Sequence, residues 1–333
     1  MTKTPKKAPS SLIDAISGQG AASESKKKLD ALQSELEAAK KIIEQQQERI
    51  EALGKKRWSI PTQGKSSRPE RDGHVRLIIS DTHGSVIDWK AYSAMLDDVE
   101  ALAPTEIIHL GDVIDCGGFL AQHHTMGYVA ETSYTFENDV DQANVALDKI
   151  QAVAPTASFD LLEGNHDRRL ETFCLTQALR NQQDAAYLNS LFGVEAQLHV
   201  KKRGINLFKQ GVFYDKCRIP ATIRRGNCFF THGSSHGKNA ANTMLARFGA
   251  NVVFGHVHKI LSASDRTVKH GEIGAWCPGG LCKQQPLWHH TNPTDWSCGY
   301  AVQLVRPNGD FLHINVPVIN GKSYLVNLAK KVG

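Results

Sequence analysis

The sequence predicts an α/β protein preceded by an N-terminal coiled-coil helix. Three observations carry that reading. Five short apolar runs, VRLIIS, EIIHL, SFDLLE, NCFFT and ANVVF, alternate with longer stretches of helical character. Each run hands over at its C-terminal end to glycine and to carboxylate, amide or imidazole side chains. Ahead of them, Leu29, Leu36, Ile43 and Ile50 recur every seven residues, with Leu32, Ala39, Gln46 and Leu53 three positions later.

Taken in order, residues 1–24 are rich in Ser, Ala, Gly, Lys and Pro and read as a disordered basic arm. Residues 25–53 read as the coiled-coil helix. Its narrow apolar seam favours self-association, a homo-oligomer, over a helix lying on the chain's own body. Gly54 ends that helix, and residues 54–74 form a basic linker rich in Pro, Gly and Ser. The globular domain is expected over 75–325, with helical stretches at 88–101, 136–152 and 169–191. After residue 270 the pattern turns to β, and GYAVQLVRPNGDFLHINVPV reads as a hairpin across PNGD.

Composition bounds the function. The 333 residues are 41% hydrophobic and 22% charged, globular values with room for a large core. No run of eighteen apolar residues occurs, so no membrane span is expected, and the N-terminus lacks the apolar stretch of a secretory signal. Seven cysteines are scattered without a disulfide framework, and Cys277 and Cys282 lack the second pair that would complete a zinc site. These features point to a reduced, cytoplasmic protein. The net charge of +5 has a location: residues 1–72 carry 15 Lys/Arg against 10 Asp/Glu, and the remainder 24 of each. The body is neutral, so a whole-domain attraction to nucleic acid does not follow.

The chemistry sits at the strand ends. VRLIIS leads into Asp81, Thr82 and His83; EIIHL into Gly111, Asp112 and Asp115; SFDLLE into Gly164, Asn165, His166 and Asp167. NCFFT leads into His232, and ANVVF into Gly255, His256 and His258. Any one of these is ordinary turn chemistry, since Gly, Asn and Asp favour turns. Five in succession argue a site, because ligands in open α/β sheets bind beyond the carboxyl ends of strands. Carboxylate, imidazole and amide oxygen suit Mn²⁺, Fe²⁺ or Zn²⁺. Asp-x-His and His-x-His are expected to place two donors on one side of an extended segment. Two ions sharing a carboxylate would lie roughly 3.5–4 Å apart, a spacing suited to phosphoryl displacement. His109 reads as a core histidine, and His123, His124, His289 and His290 as exposed loop residues.

In order and spacing, Asp81-x-His83, Gly111-Asp112-x-x-Asp115, Gly164-Asn165-His166-Asp167, His232 and Gly255-His256-x-His258 resemble the calcineurin-like metallophosphoesterase pattern. The resemblance covers about residues 75–320. It implies a four-layer α/β/β/α sandwich with two divalent metal ions per chain, Mn²⁺ first and Fe²⁺ or Zn²⁺ as alternatives. It further implies that Asp81, His83, Asp112 and His258 bind one metal, with Asp112 bridging to a second held by Asn165, His232 and His256. His166 resembles the family's catalytic histidine, with Asp167 holding its ring, and Asp115 reads as a partner behind the ligands. GDVIDCG stands where Ser/Thr protein phosphatases have GDxVDRG, and GNHD replaces GNHE, which weakens that branch. The tail after residue 295 is similar to virus- and prophage-encoded members, which would place the protein in a host cytoplasm.

The mechanism implied is in-line attack by a hydroxide bridging two cations, with His166 assisting the leaving oxygen. Residues 201–225 hold eight Lys/Arg and one acid, interleaved with Phe208, Phe213 and Tyr214. That run suits either a phosphate backbone with unstacked bases or a solvated hairpin. Arg168 and Arg169 are candidate binders of a second phosphate. Phosphodiester hydrolysis of nucleic acid or a nucleotide leads, with a phosphomonoesterase second. An inactive coiled-coil scaffold is the rival of another class, although none of its expected ligand losses is present.

Overall fold

The computed structural model describes residues 73–117, 134–212, 214, 219–286 and 293–325, together with 33, 34, 37, 40 and 41. The chain divides into two units, Met1–Ser59 and Ile60–Gly333. In the first, the five described residues are helical and exposed, and Lys40 donates to Glu37 at 3.0 Å. The heptad seam, the arm and nearly all of the linker lie outside the described residues.

The second unit holds two sheets. The first runs β11-β10-β1-β2-β3-β4, built from β1 (His74–Ile79), β2 (Glu106–His109), β3 (Ser158–Leu162), β4 (Asn206–Phe208), β10 (Gly299–Val305) and β11 (Phe311–Pro317). Strands β1 to β4 pair in parallel, and β10 joins β1 antiparallel, with Leu77 opposite Val302. The second sheet runs β5-β6-β7-β9-β8, from β5 (Thr222–Arg225), β6 (Cys228–Thr231), β7 (Val252–Phe254), β8 (Ile260–Thr267) and β9 (Gly271–Pro278).

The apolar runs are continuous because both faces of each strand are buried. In β1, Leu77 and Ile79 pack with Tyr92, Met95, Val99 and Ala143 of the helices, while Ile78 points the other way. There it meets Ile108, Leu162, Phe230 and Val253, the core between the two sheets. Beyond the second sheet, Ala241, Met244 and Leu245 cover Phe254, Ile273 and Ala275. The result is the α/β/β/α sandwich that the motifs imply.

The helices on the first sheet's outer face start at side-chain caps. In α1 (Trp89–Leu102), Asp88 accepts from the Lys90 and Ala91 amides; in α2 (Phe136–Val153), Thr135 accepts from Asn138. The stretch expected to be helical over 169–191 is two helices, α3 (Arg168–Gln177) and α4 (Gln182–Phe192). Leu179 and Arg180 take left-handed backbone between them, and Asn181 caps the second helix. Two short turns, α5 (Val194–Gln197) and α6 (Val200–Arg203), lead to β4, and α7 (Ala240–Phe248) forms the fourth layer. The PNGD hairpin forms as expected, with Leu304 opposite Leu312. Among the described residues no helix is long and apolar enough to cross a membrane. The six described cysteines are free and buried.

Candidate metal centre

Parallel strands β1, β2 and β3 end at the same level, so the turns that follow them meet at one edge of the sandwich. The turns after β6 and β7 reach the same point from the second sheet. Asp81, His83, Asp112 and His258 bring one ligand atom each to within 4.8 Å of one another, and so do Asp112, His232 and His256. Asp112 belongs to both groups. Asp81, His83, Asp112, His232 and His258 are buried, and His256 is half-buried.

The turn geometry is unusual for residues with a Cβ. Asp81, His83, Asp112, His256 and His258 all adopt φ between 51° and 74°. Left-handed backbone at a non-glycine residue costs on the order of 1–3 kcal/mol and collects at functional sites. It also corrects the expected extended geometry at Asp-x-His and His-x-His. The donors converge because the chain reverses sharply at each one, not because side chains alternate along a strand. Two motif glycines leave room for this: a Cβ on Gly164 would lie 2.1 Å from Asp112 Oδ1, and one on Gly255 2.0 Å from Ser80 Oγ.

Each imidazole aims one nitrogen inward and has the other tied outside. His83 Nδ1 donates to Asp115 Oδ1 at 3.0 Å, which leaves Nε2 facing His258 Nε2 at 3.1 Å and Asp112 Oδ2 at 3.7 Å. His232 Nδ1 donates to the Leu110 carbonyl at 3.0 Å, and its Nε2 faces Asn165 Oδ1 at 2.9 Å and Asp112 Oδ2 at 3.2 Å. His256 turns Nδ1 to His232 Nε2 at 3.2 Å, and its Nε2 meets His236 Nδ1 at 3.1 Å. His258 Nε2 lies 3.2 Å from Asp81 Oδ1, and its Nδ1 lies 3.7 Å from Cys282 Sγ. Ring nitrogens facing each other at hydrogen-bond distance, with outer nitrogens held, are the arrangement a cation requires. The donor set therefore fits a divalent metal site.

Electrostatics agree. Burial opposes charge on Asp112, but the surrounding histidines, His232 first, hold its pKa well below the usual carboxylate range. Asp81 is lowered too: burial opposes its charge, but His258 and then His232 together outweigh it. Burial works against protonating His232, yet the Asp112 carboxylate prevails and its pKa rises to about 9. Burial, and then His232, lowers His256 to about 4. Without metal, His232 thus carries a proton at neutral pH where a cation would sit. Loading at pH 7 is expected to release that proton, and apparent metal affinity to fall as pH drops below about 9. Calorimetric titration in buffers of different ionisation enthalpy measures the release; a buffer-independent heat at pH 7 would contradict it.

Beside the cluster stands His166. Its Nδ1 donates to the Asp115 carbonyl at 2.6 Å, its backbone amide to Asp112 Oδ1 at 2.8 Å, and its ring meets His83 edge-on at 4.6 Å. Burial lowers its pKa, but Asp112 and Asp115 overcome that and the net shift is upward. Asp167 lies elsewhere than the sequence reading placed it. Its carboxylate accepts from the amides of Asp112, Val113, Ile114 and Gly164 at 2.8–3.1 Å, so it shapes the Asp112 turn, while Asp115 holds the His166 ring. Arg169 is also reassigned: its guanidinium donates to the Asp115 and Cys116 carbonyls, and its Nη2 lies 3.3 Å from His166 Nε2. Arg168 is exposed and donates to Gln210 Oε1 at 3.2 Å.

His109 is a core histidine, its Nδ1 accepting from Gly111 and its Nε2 3.2 Å from the Thr82 hydroxyl. Of the six described cations in the basic run at 201–225, four meet carboxylates. Arg203 is 1% exposed and pairs with Asp148 at 2.6 Å; Arg225 pairs with Asp160 at 2.6 Å; Lys201 pairs with Glu195 at 3.3 Å. Phe208 and Tyr214 stack edge to face at 4.7 Å. Phe213, His123, His124, His289 and His290 lie outside the described residues.

Sequence reasoning missed three contributors. Cys282 follows β9 after two glycines, the same strand-end pattern as the five motifs, and the signal was there to be used. His236 lies four residues after His232. Asp139, fully buried in α2, accepts from the Ser85 amide at 2.8 Å, the Cys116 amide at 2.9 Å and the Tyr134 hydroxyl at 2.8 Å. It ties the turn after β1 to the turn after β2, a role no local pattern announces.

A sequence profile described as calcineurin-like phosphoesterase matches residues 75–260. The Gene 54 protein of Mycobacterium phage L5 is 24% identical over 256 residues, covering 74% of this chain and 94% of that one. The Gene 54 protein of Mycobacterium phage D29 is 27% identical over 190 residues, covering 55% and 68%. Among solved structures, a metallophosphoesterase from Sphaerobacter thermophilus aligns with a TM-score of 0.36 and 17% identity, covering 73% of this chain and 89% of that one.

Proposed function

Since the chain belongs to the calcineurin-like phosphoesterase family, we propose that it hydrolyses phosphodiester bonds of a nucleic acid or nucleotide, using two divalent ions per chain, Mn²⁺ first. The observation that carries this reading is the position of Asp112, whose carboxylate belongs to both donor groups. Asp81, His83 and His258 would hold one ion with Asp112, and Asn165, His232 and His256 the other. Bound there, the ions would polarise the phosphoryl oxygens and lower the pKa of water towards ~7.

The chain's own groups supply the rest. Asp115 fixes the Nδ1 proton of His166, so Nε2 is the nitrogen that can pass a proton to a leaving oxygen. Asp167 and Asp139 hold the turns that carry the donors. Support for a nucleotide substrate comes from Arg168 and Arg247, which meet no carboxylate among the described residues, not from the 201–225 run, whose described cations are mostly matched by carboxylates. The deciding assay compares bis-p-nitrophenyl phosphate, p-nitrophenyl phosphate and labelled single- and double-stranded DNA with Mn²⁺. Hydrolysis of the diesters above the monoester is the expected result; a monoester preference would overturn the diesterase reading.

The heptads at 25–53 support a homo-oligomer. Deleting residues 1–60 is expected to convert the oligomer to a monomer while sparing turnover of a small chromogenic substrate. Activity on long nucleic acid should fall further, most of all at low salt. Full-length protein that sediments as a monomer at micromolar concentration would contradict the coiled coil.

A further inference from the structure

Several of the fold's arginines are spoken for. Arg76 donates to Glu106 at 2.7 Å, Arg203 and Arg225 pair with aspartates, and Arg169 is spent on backbone carbonyls and His166. Two stand apart. Arg168, the first residue of α3, donates only to the neutral Gln210 Oε1. Arg247, in the last turn of α7, donates only to Ser234 Oγ at 2.6 Å. Neither meets a carboxylate among the described residues, and both are exposed. They come from opposite layers of the fold, α3 beside the first sheet and α7 beside the second, yet they line one cleft.

That cleft has a volume of about 310 Å³, and His232 forms part of its wall. Met244, Phe248, Ile219 and Pro220 give it an apolar wall, beside the polar Gln210, Thr231 and Ser234. Two guanidiniums without acidic partners, facing a space that abuts a metal-ligating imidazole, form an anion site one step from the reacting phosphate. The apolar wall is suited to a sugar or base edge, and the volume to about one nucleotide unit. Guanidinium forks match phosphate oxygens in geometry as well as charge.

We infer that this cleft is a subsite for the nucleotide next to the scissile bond, with Arg168 and Arg247 gripping its adjoining phosphate. The inference rests on the phosphodiesterase reading and deepens it, because it makes a second phosphate on the same nucleoside a specificity determinant. Arg247 is the new element. Gly211, at the cleft wall, keeps φ at +85°, and even a Cβ there would lie 4.0 Å from Arg168 Nη2, so the guanidinium has space to reorient.

The test uses the full chain and two chromogenic substrates that differ by one phosphate. These are thymidine 5′-(p-nitrophenyl phosphate) and the same ester carrying a 3′-phosphate, and the readout is the ratio of their kcat/KM values. With Mn²⁺, the ratio is expected to favour the 3′-phosphorylated ester by about tenfold or more. In Arg168→Ala/Arg247→Ala it should fall towards one, and Arg247→Lys should restore part of it. A second readout needs no metal. In the presence of chelator, thymidine 3′,5′-bisphosphate should bind more tightly than thymidine 5′-monophosphate, and the double variant should lose that difference. A wild-type ratio near one, or a ratio unchanged in the double variant, overturns the subsite. If bis-p-nitrophenyl phosphate is hydrolysed while both preferences are absent, the subsite falls and the phosphodiesterase stands. If no diester is hydrolysed but the bisphosphate preference in binding survives, the phosphodiesterase reading falls and the anion subsite stands.

Discussion

Replacing Asp112 with Asn is expected to remove most of the bound metal and nearly all activity. Oδ2 of Asp112 lies 3.2 Å from His232 Nε2 and 3.7 Å from His83 Nε2, so one carboxylate faces both donor groups. Asn keeps the shape, and its amide oxygen can still accept the His166 amide that now bonds Oδ1 at 2.8 Å. What disappears is the negative charge that two cations would share. Loss of a group merely hydrogen-bonded to a ligand weakens metal binding by about 10–100-fold, so loss of a shared ligand should exceed that. Elemental analysis after dialysis, with turnover on bis-p-nitrophenyl phosphate, checks the expectation. A variant that keeps two ions per chain and its activity would dismantle the binuclear assignment. Far-UV circular dichroism separates this outcome from misfolding, since Asp112 sits in a turn and carries no strand pairing.

What could be read from the sequence follows a physical boundary. The strands were legible because double-sided burial leaves a local trace, a continuous apolar run such as residues 77–79. The ligands were legible because each run ends on them directly. Interactions between distant parts of the chain were not. Arg203 finds Asp148, and Arg225 finds Asp160 65 residues away, only after the sheet has formed. Before that, both look like members of a basic stripe. Asp167 illustrates a finer limit. Its neighbour His166 is the natural partner in sequence, but the turn rotates the carboxylate towards four amides, three of them more than fifty residues away. The reversed backbone at Asp81, His83, Asp112, His256 and His258 is likewise only weakly announced, since Asp and His favour a positive φ more than other side chains do but far less than glycine. The break at Leu179 and Arg180 failed for the same reason, although Asn181 was a usable cap signal.

His166→Ala should separate chemistry from metal binding. The imidazole bonds the Asp115 carbonyl and stands edge-on to His83, but it belongs to neither of the two donor groups that share Asp112. Metal content should therefore stay near the wild-type value, in contrast to Asp112→Asn. Turnover should fall by roughly 10²–10⁴-fold if Nε2 delivers a proton to the leaving oxygen. That loss depends on what departs. p-Nitrophenolate leaves readily without a proton, whereas an alkoxide such as a deoxyribose hydroxyl does not, so the deficit should be small on the first and large on the second. Burial opposes charge on His166, but Asp112 and Asp115 overcome it and move its pKa upward, which favours the proton-bearing imidazole. Arg169, 3.3 Å from Nε2, would remain in the variant as a fixed positive charge but has no proton to give at that pH. Equal losses on good and poor leaving groups would show that His166 acts by placing substrate or charge, and loss of metal would show that it acts through the ligands.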